Sequence, residues 1–497
     1  MPIDEPEVVQ PIVSLRKRVQ DIPLVAIPEE TLQQRIQELQ RHILVEESVV
    51  RRIYEALLIG HVILTGPPGT GKTELARYIP EVLWHDVPTP QTKEDNETTT
   101  AQTTHTAYTA TLVTATSEWS GRTLIGGIAP RVDGTRIAYH TEHGHLTHAI
   151  LRNWDVQPNQ HHAWEKAQRV QYVTAGILSQ GEAQEFRGHW LIIDEFNRAQ
   201  IDVALGEALT TLSTGEALML TIQGEVIKLP LPRDFRIIGT LNSFDRSYLN
   251  QISEALKRRF SFIEVLPPSR AMRLAEQGIV LYKALNALSK IPQLGDTISR
   301  ENDGDIVWQH VILTRDEWYI EDDNFGGVFT TAWNTFEIIR IYRQLGTAQA
   351  ITLIQRMIIQ GILRGYKTEH EWVEALDVAL SDTVADQLQV LLPDELDVLL
   401  WYLKLDAPMF IEKYNSMLSL FSSKPRRLSA HLEAFGSILN EQGQPFLGDD
   451  LIEEIVDMEE PQLPSDILTH LFHLNQTHPT LPQFTKRLRT FKVERGL

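Results

Sequence analysis

Gly66-Pro67-Pro68-Gly69-Thr70-Gly71-Lys72-Thr73 sets three glycines ahead of an amine and a hydroxyl, a spacing suited to holding phosphate. Glycines let backbone N–H groups turn inward on phosphate oxygens, and a helix that starts here adds its positive dipole end. Lys72 would reach the β and γ phosphates, and Thr73 offers its hydroxyl to Mg²⁺. The segment fits the pattern G-x-x-x-x-G-K-[ST]. It lies between His61–Thr65, an apolar run that reads as a strand buried on both faces, and a helix expected to stop at Pro80. With Glu74 in the first helical turn, these residues form the expected nucleotide-binding set. The expected ligand is a nucleoside triphosphate, ATP by preference over GTP.

Hydrolysis also needs a metal-facing acid and a base. Trp190-Leu-Ile-Ile-Asp194-Glu195 supplies four apolar residues ending in two carboxylates. Strand alternation is expected to point the two acids apart, so that Asp194 holds Mg²⁺ together with Thr73 while Glu195 polarises the attacking water. A third apolar run, Phe235–Thr240, leads to Asn242, whose amide could orient that water. Lys257-Arg258-Arg259-Phe260 then offers two guanidiniums. They read either as an arginine finger that stabilises the transferring phosphoryl group or as a basic helix end facing its own dipole. The expected catalytic set is therefore Lys72, Glu195, Asn242, Arg258 and Arg259.

The remaining chain must position these groups. At 497 residues, with 42% hydrophobic and 23% charged residues, it is long enough for several folded domains. Residues 1–28 are rich in proline and acids and read as a tail or arm. Residues 29–266 read as an α/β nucleotide-binding domain with a parallel sheet, entered by a helix carrying Val49, Ile53 and Leu57 and capped at Gly60. Polar composition marks surface insertions at about 88–106 and 155–187. Beyond Pro267 strand signals nearly vanish, so 267–400 reads as a helical lid region and 401–497 as a carboxy-terminal helical region.

Charge and composition exclude other chemistry. Asp and Glu total 66 against 46 Lys and Arg, and a net charge of −20 repels a nucleic-acid backbone over most of the surface. There is no cysteine, hence no disulfide and no thiolate. No stretch reaches the roughly 18 apolar residues of a membrane span. A soluble cytoplasmic protein is expected. His140, His143, His145 and His148 lack the spacing to share one helix face, so no metal is assigned to them.

GPPGTGKT, LIIDEFNRA, GTLNSFDRS and ALKRRF, in this order, resemble the MoxR and McrB branch of AAA+ ATPases over roughly residues 43–266. Glu195-Phe-Asn197-Arg198-Ala199 is similar to the E-[IL]-N-R-A stretch of that branch, and Asn242 to Asp245 is similar to the N-T-x-D element of McrB. The resemblance implies a helical lid, a homo-oligomeric ring, most simply a hexamer, and an arginine finger entering from the neighbouring subunit. It also implies two pore hairpins, here Ile125–Gly127 with Gly134–Tyr139, and Leu218–Leu229. The lid arginine of MoxR proteins has no match: the aligned position is Gln349, with Arg356 a loose substitute. The McrB-like segment points to the motor of a defence or restriction-like complex with a nuclease partner. E-F-N-R-A points instead to a chaperone acting with a von Willebrand A-domain protein, and the missing lid arginine to a slowly hydrolysing scaffold.

Overall fold

The computed structural model describes residues 18–85, 107–133, 136–177, 183–206, 208–222, 225–242, 253–292, 294, 297–300, 305–308, 311–314, 317–436, 438, 440, 444–476 and 479–494, with the side chains of 130–140, 183, 300 and 436 left aside. The polar insertion at 88–106, the hairpin tip at Gly134 and the segment from Ser243 to Ser247 with Asp245 fall outside this set, as does the side chain of His140.

The chain divides into two compact units, residues 1–66 with 71–265, and Pro67–Thr70 with 266–497. The first is built on a parallel sheet. Its strands are β1 (His61–Gly66), β2 (Tyr108–Thr114), β7 (Gly188–Asp194), β10 (Ile237–Asn242) and β11 (Phe260–Glu264), in the order β11-β1-β10-β7-β2. Every residue of β1 is buried. Alternation divides the strand side chains between two cores. Val62, Leu64, Trp190, Ile192 and Ile238 pack with helices α1 (Glu29–His42), α2 (Glu47–Ile59) and α3 (Lys72–Val82), whereas Ile63, Leu191, Ile193, Ile237 and Leu241 face the other way.

Two antiparallel hairpins occupy the positions the resemblance implied: β3 (Gly126–Asp133) with β4 (Arg136–His143), and β8 (Ala217–Ile222) with β9 (Glu225–Pro230). A third, β5 (Tyr172–Ala175) with β6 (Ala183–Phe186), lies in the stretch expected as a surface insertion. That stretch is partly internal. Trp164, Arg169 and Phe186 are buried, and Arg169 and Arg187 stand 2.8 and 3.3 Å from the buried carboxylate of Asp234, which also accepts from the Tyr108 hydroxyl. Its Gln- and His-rich composition conceals the few residues that pack. Residues 18–28 likewise pack rather than dangle: Leu24 and Ile27 are buried, and Val25 O accepts from Trp84 Nε1. Helix α3 runs two residues past the expected stop, because Pro80 is buried in its last turn, where only one backbone bond is forgone.

The second unit is mainly helical, but it corrects the expectation that strands end near Pro267. A four-stranded antiparallel sheet, β12 (Ile298–Arg300), β13 (Ile306–Trp308), β14 (Val311–Leu313) and β15 (Trp318–Ile320), interrupts the helices. Strands of three residues are too short to show a period in sequence. Ile298, Ile306, Trp308, Val311 and Leu313 bury their side chains in the same apolar core as the helices. The division expected near residue 400 falls inside the helix Pro393–Tyr402, and that core includes residues on both sides of it. Buried charges are paired: Arg340 grips both Glu276 oxygens at 2.8 and 2.7 Å, and Glu337 meets Arg273 and His473 at 3.3 and 2.9 Å. Pro67–Thr70 packs tightly here. Gly69 O accepts from Ala348 N–H at 3.1 Å, and a Cβ on Gly69 would fall 2.1 Å from Gln349 Oε1. Arg356 points away to Asp382 at 3.0 Å and is largely exposed.

Candidate active site

In an open parallel sheet, ligand crevices lie beyond the carboxyl ends of the strands. Gly66 ends β1, Asp194 ends β7 and Asn242 ends β10, so the sheet brings these three residues to one edge. The register sets the distances: Gly66 lies opposite Asn242, and Gly239 opposite Ile193. Alternation then puts Thr240 and Asn242 on the face of β10 shared with Ile238, the face covered by α3, which carries Thr73.

The loop between β1 and α3 needs its glycines. Gly66 has φ 148°, and a Cβ there would sit 2.2 Å from Val265 O. Gly71, the residue before α3, has φ 83°, a left-handed backbone that other residues adopt only at a cost. Lys72 follows, 6% exposed, with Nζ donating to Gly66 O at 3.0 Å. Burial lowers its pKa from 10.5 to about 8, against the opposing pull of Glu195 and Asp194. Thr70 Oγ1 donates to Pro67 O at 3.1 Å, and Glu74 is engaged by Arg77 at 3.1 Å.

The acids meet their partners as follows. Asp194 Oδ1 accepts from Thr73 Oγ1 at 2.7 Å and from Thr240 Oγ1 at 2.5 Å. A carboxylate beside a hydroxyl is an all-oxygen donor set, which fits a hard cation such as Mg²⁺ with phosphate oxygens completing its shell. Among the described residues no group of three or more His, Asp or Glu is placed to hold a metal by itself. Glu195 takes a left-handed backbone, φ 55° and ψ 45°. The two acids therefore diverge because of a turn after the strand, not by alternation within it. Asn242 Nδ2 donates to both Glu195 oxygens, at 3.0 and 3.1 Å, and Arg198 Nε stands 3.4 Å from one of them.

The two guanidiniums behave differently. Arg259 is turned inward on its own chain, donating to Leu209 O at 2.5 Å and Ala255 O at 2.6 Å, while Arg258 is exposed. The first unit thus gathers Gly66, Gly71, Lys72, Thr73, Asp194, Glu195 and Asn242. Thr240 was missed from the sequence, although a hydroxyl in an otherwise apolar buried strand, two residues before Asn242, marks the same face.

A parallel sheet with a glycine loop after β1 and paired acids after a second strand defines the phosphate-loop α/β class. Residues 61–260 match the family model of the AAA domain, dynein-related subfamily, so this segment is an AAA+ domain of that subfamily. No curated protein matches the chain. Among solved structures, a candidate ATPase from Cytophaga hutchinsonii aligns at 12% identity over 70% of this chain and 84% of its own, with a TM-score of 0.29. NtrX from Brucella abortus aligns at 16% identity over 89% of this chain and 72% of its own, with a TM-score of 0.35. Neither likeness adds to the argument. Among the described residues no helix is long and apolar enough to cross a membrane.

Proposed function

We propose that this chain hydrolyses a Mg²⁺-bound nucleoside triphosphate, ATP in preference to GTP, as one subunit of a homo-oligomeric ring. The observation that carries this reading is the convergence of Thr73, Asp194, Glu195 and Asn242 at the edge that holds Lys72 and Gly66. Lys72 would neutralise phosphate charge, and Thr73 and Asp194 would hold Mg²⁺, which would supply a positive charge to the phosphate oxygens. Glu195 takes the proton of the attacking water, and Asn242 holds Glu195 or, turned by one rotamer, that water. Arg258, exposed and without the carbonyl contacts of Arg259, is the group that would serve a neighbouring subunit. In the cell, the ring acts as the motor of a defence or restriction-like complex in which a nuclease partner cuts DNA.

The test is turnover of ATP and GTP, with and without DNA, alongside the subunit count in nucleotide. Mg²⁺-dependent turnover that disappears in Glu195→Gln, together with DNA stimulation and a copurifying nuclease, is the expected result. Absence of turnover in the wild-type ring refutes the enzymatic reading. DNA-independent turnover without a nuclease refutes the defence role and leaves the chaperone reading, which the net charge of −20 favours.

A further inference from the structure

Thr240 is 3% exposed and uses its hydroxyl twice. Oγ1 donates its single hydrogen to Asp194 Oδ1 at 2.5 Å and accepts the backbone N–H of Glu195 at 3.2 Å. The first bond goes to the carboxylate on the metal side. The second goes to the backbone of the base. Glu195 needs such a hold, because a non-glycine residue in the left-handed region is strained by about 1–2 kcal/mol. Only Glu195 and His473 adopt a positive φ among the described non-glycine residues. Arg198 N–H closes the turn from the other side, donating to Glu195 O at 2.8 Å.

We propose that Thr240 is the positioning residue that couples the metal-side acid to the catalytic base. Its hydroxyl fixes which oxygen of Asp194 faces inward, since Thr73 and Thr240 both converge on Oδ1. Through the Glu195 N–H, the same hydroxyl holds the turn that brings the Glu195 carboxylate to Asn242. The one hydroxyl thus ties the Asp194 side chain, which would hold Mg²⁺, to the backbone of Glu195. This rests on the nucleotide-hydrolysing reading above.

The test compares Thr240→Val, which keeps the shape and the β-branch suited to a buried strand, with Thr240→Ser, which keeps the hydroxyl. Two quantities are read: the affinity for a fluorescent ATP analogue with and without Mg²⁺, and kcat and KM for ATP. Thr240→Val should bind the analogue without Mg²⁺ as the wild type does. It should lose about tenfold of the Mg²⁺-dependent gain in affinity and about a hundredfold in kcat, the scale of one misdirected charged hydrogen bond at a reacting centre. Thr240→Ser should stay within about threefold of the wild type in both, because the two hydrogen bonds survive. A Thr240→Val protein that retains the Mg²⁺ gain, or a Thr240→Ser protein as impaired as Thr240→Val, overturns the proposal, the latter by showing a packing role. A wild type that binds Mg²⁺-nucleotide but does not turn it over refutes the hydrolytic reading, and the hold on Asp194 is then read from the Mg²⁺ gain alone, which Thr240→Val must lose and Thr240→Ser must keep. A wild type that binds no nucleotide overturns both.

Discussion

Raising the pH from 7.5 to 9.5 should weaken nucleotide binding through one side chain. Lys72 is buried, and its pKa is lowered to about 8 chiefly by that burial. The charged amine is the form that pairs with phosphate, and bound phosphate raises its pKa again, so above pH 8 binding must take up a proton. Each pH unit beyond that point then costs about 1.4 kcal/mol, or close to tenfold in affinity. Well below pH 8 Lys72 is protonated in both states and the slope vanishes. Counting the protonated fraction at each end, the dissociation constant should rise roughly 25-fold between pH 7.5 and 9.5, a range in which the triphosphate is already fully ionised. Isothermal titration in two buffers of different ionisation enthalpy measures both the affinity and the proton taken up. Lys72→Arg is the control, because a guanidinium keeps its charge throughout and should bind, however weakly, without a pH slope. A flat wild-type profile, or zero proton uptake at pH 9, would refute the reasoning that burial sets the state of this amine.

Gly66→Ala should abolish nucleotide binding, because the new Cβ would lie 2.2 Å from Val265 O; retained binding in the same titration would contradict the loop geometry. Asp234→Asn leaves Arg169 and Arg187 buried with a neutral partner and should cost about 3–5 kcal/mol. Calorimetry should then show the α/β unit melting roughly 6–20 °C lower. Glu337 would be raised by burial, but the His473 hydrogen bond and the charges of Arg273 and Arg270 bring it down to about 2. A carboxyl depressed in the folded state lends stability above its unfolded pKa, and that is lost as pH falls from about 4.5 toward 2, a loss on the order of 3 kcal/mol. Acid unfolding of Glu337→Gln should accordingly show a weaker pH dependence in that window. Arg258→Ala should lower turnover about a thousandfold with little change in stability, whereas Arg259→Ala should lower the melting temperature by removing the carbonyl contacts at Leu209 and Ala255.

The site was legible in sequence wherever chemistry demands a residue type at a fixed distance along the chain. The phosphate loop, the acid pair after an apolar run and Asn242 after the third run all lie at strand ends, where a buried parallel strand announces itself by unbroken hydrophobicity. The face of Thr240 was legible, but its partners were not, because they depend on register. Only pairing β10 with β7 brings it to Asp194, forty-six residues away in sequence. The same limit hid the Asp234 cluster, whose partners Tyr108, Arg169 and Arg187 come from separate segments. The short strands β12 to β15 escaped for a different reason: three residues hold too few alternations to stand out from loop sequence.

Register also explains why so few positions can change without dismantling the site. A one-residue slip of β10 against β7 would turn Thr240 and Asn242 to the opposite face and bring Gly239 and Leu241 toward Asp194. Two features oppose that slip. Gly239 leaves room for Phe196, since a Cβ there would lie 3.0 Å from its ring, and Ile237 N–H donates to the buried His61 Nδ1 at 3.1 Å. The His61 contact pins the start of β10 to the start of β1, and the Gly239 contact seats its middle on the turn that carries Glu195. The polar face at the strand end is thus fixed by apolar and backbone contacts upstream of it. A substitution such as Gly239→Ala, remote from phosphate, should therefore disturb Glu195 and Asp194 together rather than either alone.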